Sequence, residues 1–134
     1  MKRIIYFNIF LLALFTFFYN VNIVNAKKIP NLVGTWQGEN IKSTLKKGFL
    51  RSNNTVEITE QADRLFKGFV IHKGGKEAFV GVIKSDSKNF FWADSSDDDG
   101  KVIGTILKKN KIETCYLDSG KDAVAGCSIL LRQD

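Results

Sequence analysis

The sequence has one histidine and two cysteines among its 134 residues, and this scarcity excludes several kinds of active site. His72 cannot form a cluster of imidazole ligands, and a Ser-His-Asp triad would depend on it alone, with no nucleophile-elbow motif beside it. Cys115 and Cys127 are expected to be oxidised, so neither is expected to act as a nucleophile. The sequence therefore predicts a protein that is not an enzyme, and it indicates no cofactor.

A strong excess of one charge is also missing. The formal net charge is +6, and basic residues alternate with acidic ones along the chain. The nearest approach to a basic patch consists of Lys42, Lys46, Lys47 and Arg51, which we interpret as a solvated face or loop. Nucleic acid is therefore not expected as a partner.

The long apolar run of the sequence lies at its start, MKRIIYFNIFLLALFTFFYNVNIVNA. Two basic residues precede the apolar residues 4–18, and the small side chains of Val24 and Ala26 match the positions that signal peptidase recognises. This order predicts a secretory signal over residues 1–26, followed by an exported, periplasmic or extracellular domain over residues 27–134. An uncleaved membrane anchor is the alternative, and the asparagines in the run argue against it. After cleavage we expect no membrane span.

The remaining sequence is long enough for one domain with one core. Its short apolar segments are separated by turn residues, and Val56 and Ile58 alternate with polar neighbours as in a strand with one wet face. The predicted strands are residues 32–41, 55–61, 64–72, 77–84, 89–94, 101–108, 111–117 and 123–132. A single helix is predicted over residues 41–50, and Gly48 weakens it.

Short turns between these segments leave no room for crossover connections, so the sequence predicts an all-β, antiparallel up-and-down meander of about eight strands. Such a meander removes its exposed edges by closing into a small barrel. Glycines inside five predicted strands indicate sites of strong coiling. They are Gly34, Gly68, Gly81, Gly104 and Gly126.

The last hairpin can be aligned from its cysteines. Lys121 lies midway between Cys115 and Cys127, so a hairpin symmetric about Lys121 places the two cysteines directly opposite each other. Opposed residues are close enough for a disulfide. The same alignment sets Tyr116 against Gly126, where the ring can cover the glycine backbone. We therefore predict a disulfide in this hairpin, formed in an oxidising compartment.

The stretch GTW near the start of the predicted domain, followed by a meander that ends in LLRQ, resembles the calycin superfamily of lipocalins, avidins and small bacterial metalloprotease inhibitors. The resemblance concerns Gly34, Trp36 and Arg132. It implies that Trp36 fills the closed end of a barrel and that Arg132 packs across it. The position of the cysteines in the last hairpin differs from that of the inhibitors, whose disulfide joins earlier strands.

Two further clusters are candidates for function. Asp94, Asp97, Asp98 and Asp99 form an acidic stretch that ends in glycine, as hard cations prefer. Its spacing does not fit an EF-hand, so we expect an acidic turn and no metal. In NFFW, residues 89–92, alternation sends Phe91 to one face and Phe90 and Trp92 to the other. The inward set either packs in the core or lines a cavity, and the outward set is a candidate contact patch.

Two functions from different classes follow from this sequence. The first is a monomeric protein-interaction module, for instance a hydrolase inhibitor that acts on an unidentified protein partner. The second is a barrel that binds a small apolar ligand in its open mouth. Large inward side chains fill the lumen of a small barrel, and the many aromatic residues of this chain favour the interaction module.

Overall fold

The computed structural model describes residues 27–95 and 100–134 and contains eight strands in them. The strands are β1 (Gly34–Thr44), β2 (Gly48–Ala62), β3 (Leu65–His72), β4 (Gly75–Ile83), β5 (Asn89–Asp94), β6 (Lys101–Lys108), β7 (Lys111–Asp118) and β8 (Val124–Arg132). Each strand pairs antiparallel with the next, and β8 pairs with β1, which closes the barrel. The predicted fold is therefore confirmed.

The predicted secretory signal, residues 1–26, lies outside the described residues. In the two described ranges, no helix has the length and hydropathy that a membrane span requires.

The helix predicted over residues 41–50 is wrong, because this segment forms the hairpin between β1 and β2. The hydroxyl of Thr44 accepts a hydrogen bond of 2.8 Å from the backbone N–H of Lys47. Gly48 has a φ of 69°, a left-handed conformation that glycine adopts without steric cost. The turn chemistry and the pairing of β1 with both neighbours therefore outweigh the helical propensity of the segment.

β2 begins at Gly48, seven residues earlier than the predicted strand. Among the described residues, its first part pairs with β1 alone. Pairing between β2 and β3 starts where Thr55 faces Ile71, whereas pairing between β1 and β2 continues up to Thr44 and Gly48. Residues 48–54 therefore extend beyond β3 and present an unpaired strand edge.

Inward side chains fill one half of the barrel with aromatic rings. The rings of Phe79 and Trp92 stack with centroids 4.6 Å apart. Phe66 meets Phe79 and Phe90 edge to face, at 6.0 and 5.8 Å. The buried hydrophobic residues are Leu32, Trp36, Val56, Ile58, Phe66, Phe79, Ile83, Phe90, Trp92, Val102, Ile112 and Leu130.

Two of the strand glycines lie where a larger residue would not fit. A Cβ on Gly104 would lie 2.0 Å from the ring of Phe90, which is directly opposite in the register. A Cβ on Gly38 would lie 1.9 Å from the carbonyl oxygen of Ile129. These glycines are therefore required by close approach of a ring or a neighbouring backbone, in addition to any coiling they permit.

The segment before β1 runs across one end of the barrel. The side chain of Gln61 accepts a hydrogen bond of 2.8 Å from the backbone N–H of Leu32 and donates one of 2.9 Å to the carbonyl of Pro30. Lys27 donates a hydrogen bond of 2.7 Å to the carbonyl of Asp86 in the turn after β4. This end is the closed end, and we call the opposite end, where the β1–β2, β3–β4 and β7–β8 turns lie, the mouth.

Candidate functional site

The three residues of the calycin-like signature lie together at the closed end. Trp36 is fully buried, and its indole N–H donates a hydrogen bond of 2.9 Å to the carbonyl of Leu32. The guanidinium carbon of Arg132 lies 4.2 Å from the centre of the indole ring, which is a cation–π contact. Partial burial lowers the pKa of Arg132 below its ordinary value.

Arg132 also fastens the segment before β1. Its guanidinium donates hydrogen bonds to the carbonyls of Val33 and Asn31. Gly34, with a φ of 140°, lies so close that a Cβ there would be 3.1 Å from the guanidinium. The polar groups of this cluster are thus occupied within the protein, so the cluster closes the barrel and a ligand site has to be sought elsewhere.

The last hairpin has the predicted alignment. Cys115 and Cys127 face each other and are bridged, with their Cα atoms 4.1 Å apart. Tyr116 faces Gly126, as expected, and Leu117 faces Ala125. The disulfide indicates that the protein matures in an oxidising environment.

The acidic cluster cannot be assembled from the described residues. Asp94 ends β5, opposite Phe79, whereas Asp97, Asp98 and Asp99 lie outside the described residues. Over residues 27–95 and 100–134, no group of three or more His, Cys, Asp or Glu side chains could hold a metal ion.

His72 lies at the mouth, at the end of β3. Its Nδ1 accepts a hydrogen bond of 2.9 Å from the backbone N–H of Gly74. The proton of the neutral ring is therefore on Nε2, which lies 3.0 Å from Glu77 Oε1 and donates to it. Both ring nitrogens are thus engaged in holding the β3–β4 turn.

A ladder of buried polar side chains crosses the interior of the barrel. Asn40 on β1 faces Ser128 on β8, and Ser128 faces Thr114 on β7. All three residues are buried. The amide of Asn40 donates a hydrogen bond of 3.3 Å to the hydroxyl of Tyr116, which is also on β7 and points to the same interior.

Three buried polar atoms have no hydrogen-bond partner in the described part of the chain: Asn40 Oδ1, Ser128 Oγ and Trp92 Nε1. Trp92 faces Val102 on β6, and Val102 faces Tyr116, so Trp92 lies in the same row of facing residues as Tyr116, which bonds to Asn40. A buried polar group without a partner costs about 1–3 kcal/mol. We call Asn40, Ser128, Tyr116 and Trp92 the lumen cluster.

The lumen cluster has complementary hydrogen-bonding capacity. Trp92 Nε1 is a donor, Asn40 Oδ1 is an acceptor, and the hydroxyl of Ser128 can be either. A small molecule with both donor and acceptor groups could therefore satisfy all three atoms. Sequence reasoning did not single out Asn40 or Ser128, although strand alternation places Asn40 on the same face as Trp36, four residues away.

Outward-facing residues form an apolar row around the barrel. In the register of neighbouring strands, each member faces the next across one strand pair. The row consists of Leu65, Val82, Phe91, Ile103, Cys115, Cys127 and Ile41. In the NFFW segment, Phe90 and Trp92 point inward and are buried, whereas Phe91 belongs to this row and is 39% exposed.

No protein-family model matches the chain, and no curated protein matches it. Several solved structures share its fold. A redesigned β-barrel is 17% identical, with a TM-score of 0.50, and the match covers 77% of this chain and 92% of that one.

The S-type phycobiliprotein lyase CPES from Guillardia theta is 13% identical, with a TM-score of 0.54 and coverage of 77% of this chain and 89% of that one. The structure of EF1p2_mFAP2b bound to DFHBI is 15% identical, with a TM-score of 0.52 and coverage of 76% and 94%. At these identities the likeness concerns the fold alone. It is consistent with a calycin-like barrel and shows no family membership.

Proposed function

We propose that this protein binds a small organic molecule in the mouth half of its barrel, at the lumen cluster. The observation that supports this most directly is the set of buried atoms without partners, Asn40 Oδ1, Ser128 Oγ and Trp92 Nε1. Leaving several such atoms unpaired in one core is costly. A ligand that bonds to them would recover that free energy, which gives binding a physical reason.

The ligand class follows from the walls of the site. Trp92 stacks against Phe79 and Phe90, so the aromatic side of the site favours a flat, largely apolar body. The polar ladder on the opposite strands favours donor and acceptor groups at one edge of that body. We therefore infer a planar molecule with polar substituents, which refines the apolar ligand considered from the sequence. One neighbour of the same fold holds a small molecule, since its structure is bound to DFHBI.

A protein-interaction module, such as a hydrolase inhibitor, remains the second candidate. The outer apolar row supports it, since exposed apolar side chains in contact with one another are typical of interaction surfaces. The lumen cluster favours ligand binding over this role because its unpaired groups face inward, away from any protein partner. The proposal includes no reaction, since His72 is engaged with Gly74 and Glu77.

The first test is native mass spectrometry of protein purified from its own host, which would show a retained small molecule. The second compares wild type with Trp92→Phe, using the molecule so found or, failing that, the fluorescent probe 8-anilinonaphthalene-1-sulfonate. Phenylalanine keeps an aromatic ring and removes the indole N–H. We expect affinity to fall about fivefold, as for one lost hydrogen bond.

The indole N–H has no partner among residues 27–95 and 100–134, so its removal should leave the ligand-free stability at least as high as that of wild type, apart from the packing change of the smaller ring. Gln37→Leu, an exposed change on the outer face of β1, is the matched control and should leave affinity unchanged. If no retained molecule appears and neither wild type nor Trp92→Phe binds the probe, the buried atoms are satisfied by water alone and the proposal is wrong.

A further inference from the structure

The unpaired edge of β2 is the feature that the ligand proposal does not use. Residues 48–54 pair with β1 and, in the described parts of the chain, with no second strand. Phe49 on this edge is 91% exposed, and Leu45 in the adjoining turn is 74% exposed. An exposed edge with apolar side chains is a template for pairing with another strand.

We propose that two copies of this protein pair antiparallel through this edge, about a twofold axis at Leu50. In such a pair the residues directly opposite each other point to the same side of the sheet. A twofold axis therefore has to pass through a residue position of the edge. An axis at Leu50 sets Leu50 against Leu50 of the second copy and Gly48 against Ser52 of the second copy.

The side chains fit this alignment. Phe49 faces Arg51 of the second copy, and the symmetry repeats the contact, so the dimer gains two cation–π pairs. Lys46 and Lys47 lie in the turn before β2, outside the paired edge, so no like charges are directly opposite each other. Within each copy, Arg51 keeps its 2.8 Å salt bridge to Glu39.

Neighbouring alignments are worse. An axis at Arg51 opposes two arginines, and like charges directly opposite each other destabilise a strand pair. An axis at Ser52 would require Val56, whose partner on that side is already Val70 of β3. Of these three alignments, the axis at Leu50 is thus the most favourable, and this self-complementarity favours a second copy over an unrelated extended segment.

The contact is a short strand pair, so it belongs with the small, weak interfaces. Dimerisation should depend on concentration in the micromolar to millimolar range, and the sequence-based expectation of a monomer should hold only in dilute solution. The dimer does not depend on the lumen cluster, so the two proposals can fail separately.

Sedimentation equilibrium of the oxidised, mature protein tests the proposal. We expect a monomer–dimer equilibrium for wild type. Phe49→Lys places a lysine against Arg51 twice and should weaken dimerisation by about tenfold. Leu45→Lys adds the same charge and removes a similarly exposed apolar residue outside the paired register, so it should leave the dimerisation constant unchanged.

A monomeric wild type up to millimolar concentration would overturn the proposal, and so would equal weakening by the two lysine variants. Circular dichroism should show that both remain folded, as is expected for exposed positions. If one does not fold, the wild-type equilibrium and the cross-linking experiment below decide the question.

Cross-linking tests the position of the axis. Leu50→Cys should form an intermolecular disulfide on mild oxidation, because position 50 faces position 50 of the second copy. Ser52→Cys is the control on the same face of the strand; it faces Gly48 and should remain unlinked. Mass mapping must show that the Cys115–Cys127 bridge is intact in both variants. Cross-linking of Ser52→Cys without Leu50→Cys would overturn the register.

Discussion

Trp36 combines full burial, a hydrogen bond to Leu32 and a stacked guanidinium from Arg132. Trp36→Ala removes the ring and leaves a cavity at the closed end, so it should lower the free energy of unfolding by about 3–5 kcal/mol. Urea unfolding of the oxidised protein measures this loss. The control is Phe49→Ala at low protein concentration, an exposed aromatic whose removal should cost less than about 0.5 kcal/mol. Equal losses for the two variants would show that the indole does not hold the closed end.

Asp86 in the turn between β4 and β5 gives a prediction about pH. Its carboxylate accepts hydrogen bonds from the backbone N–H groups of Asn89 and Lys88 and from the amide of Asn89. These bonds, led by the one from the Asn89 backbone, hold its pKa far below the ordinary 3.8. Because the folded pKa is the lower one, ionised Asp86 stabilises the folded state. That stability is present above the ordinary pKa and is lost as the pH falls toward the folded one.

The carboxyl carbon resonance of Asp86 should therefore still report an ionised group at pH 3, below the ordinary value of 3.8. Asn89→Ala removes the side-chain bond and keeps the backbone donor, so it should raise the pKa of Asp86 part of the way. Titration of wild-type Asp86 at its ordinary value would contradict the prediction.

Among the elements, the hairpin of β7 and β8 is fixed covalently. Cys115 and Cys127 are 12 residues apart, and the chain-entropy account gives about 3 kcal/mol for closing a loop of roughly this length. The double variant Cys115→Ser, Cys127→Ser should lose up to that amount in urea unfolding. Wild type reduced with dithiothreitol should match it, since neither retains the bridge. A double variant as stable as oxidised wild type would indicate that strain in the folded hairpin cancels the entropic gain.

Most elements could be predicted from alternation and turn residues, because each strand from β3 onward has a buried face that its own sequence specifies. The hairpin of β1 and β2 could not. The polar residues 51–54 have the composition of a loop, and they form a strand because β1 provides a partner. Pairing with the neighbouring strand thus decided the structure where the preference of the segment itself did not.

The candidate site was less predictable than the fold. Closure of the barrel brings Trp36 and Arg132 together, as the resemblance implied. By contrast, Asn40, Ser128 and Trp92 come from β1, β8 and β5. Alternation alone can place each of them inside, but it cannot show that an atom on each has no partner.

At the scale of the whole molecule, the two ends of the barrel have different roles. The closed end is sealed by the segment before β1 and by Arg132, whose guanidinium bonds to backbone carbonyls of that segment. Polar side chains such as Asn40 and Tyr116 bond to each other in the interior, away from the closed end. The ligand site and the strand edge for a second copy that we propose both lie on the side of the mouth, the edge on its rim. The disulfide suits the exported location expected from residues 1–26.

The pairing of β1 with β8 also has a consequence for how the chain acquires its structure. Arg132 bonds to Val33 across 99 positions of sequence, so the barrel cannot close until Arg132 has left the ribosome. Contacts of such long range are typical of domains that fold in milliseconds to seconds. Until then β1 lacks β8 as its second neighbour, and the barrel stays open. A chain that must pass through a membrane in extended form, as the signal predicts for this one, gains from that delay.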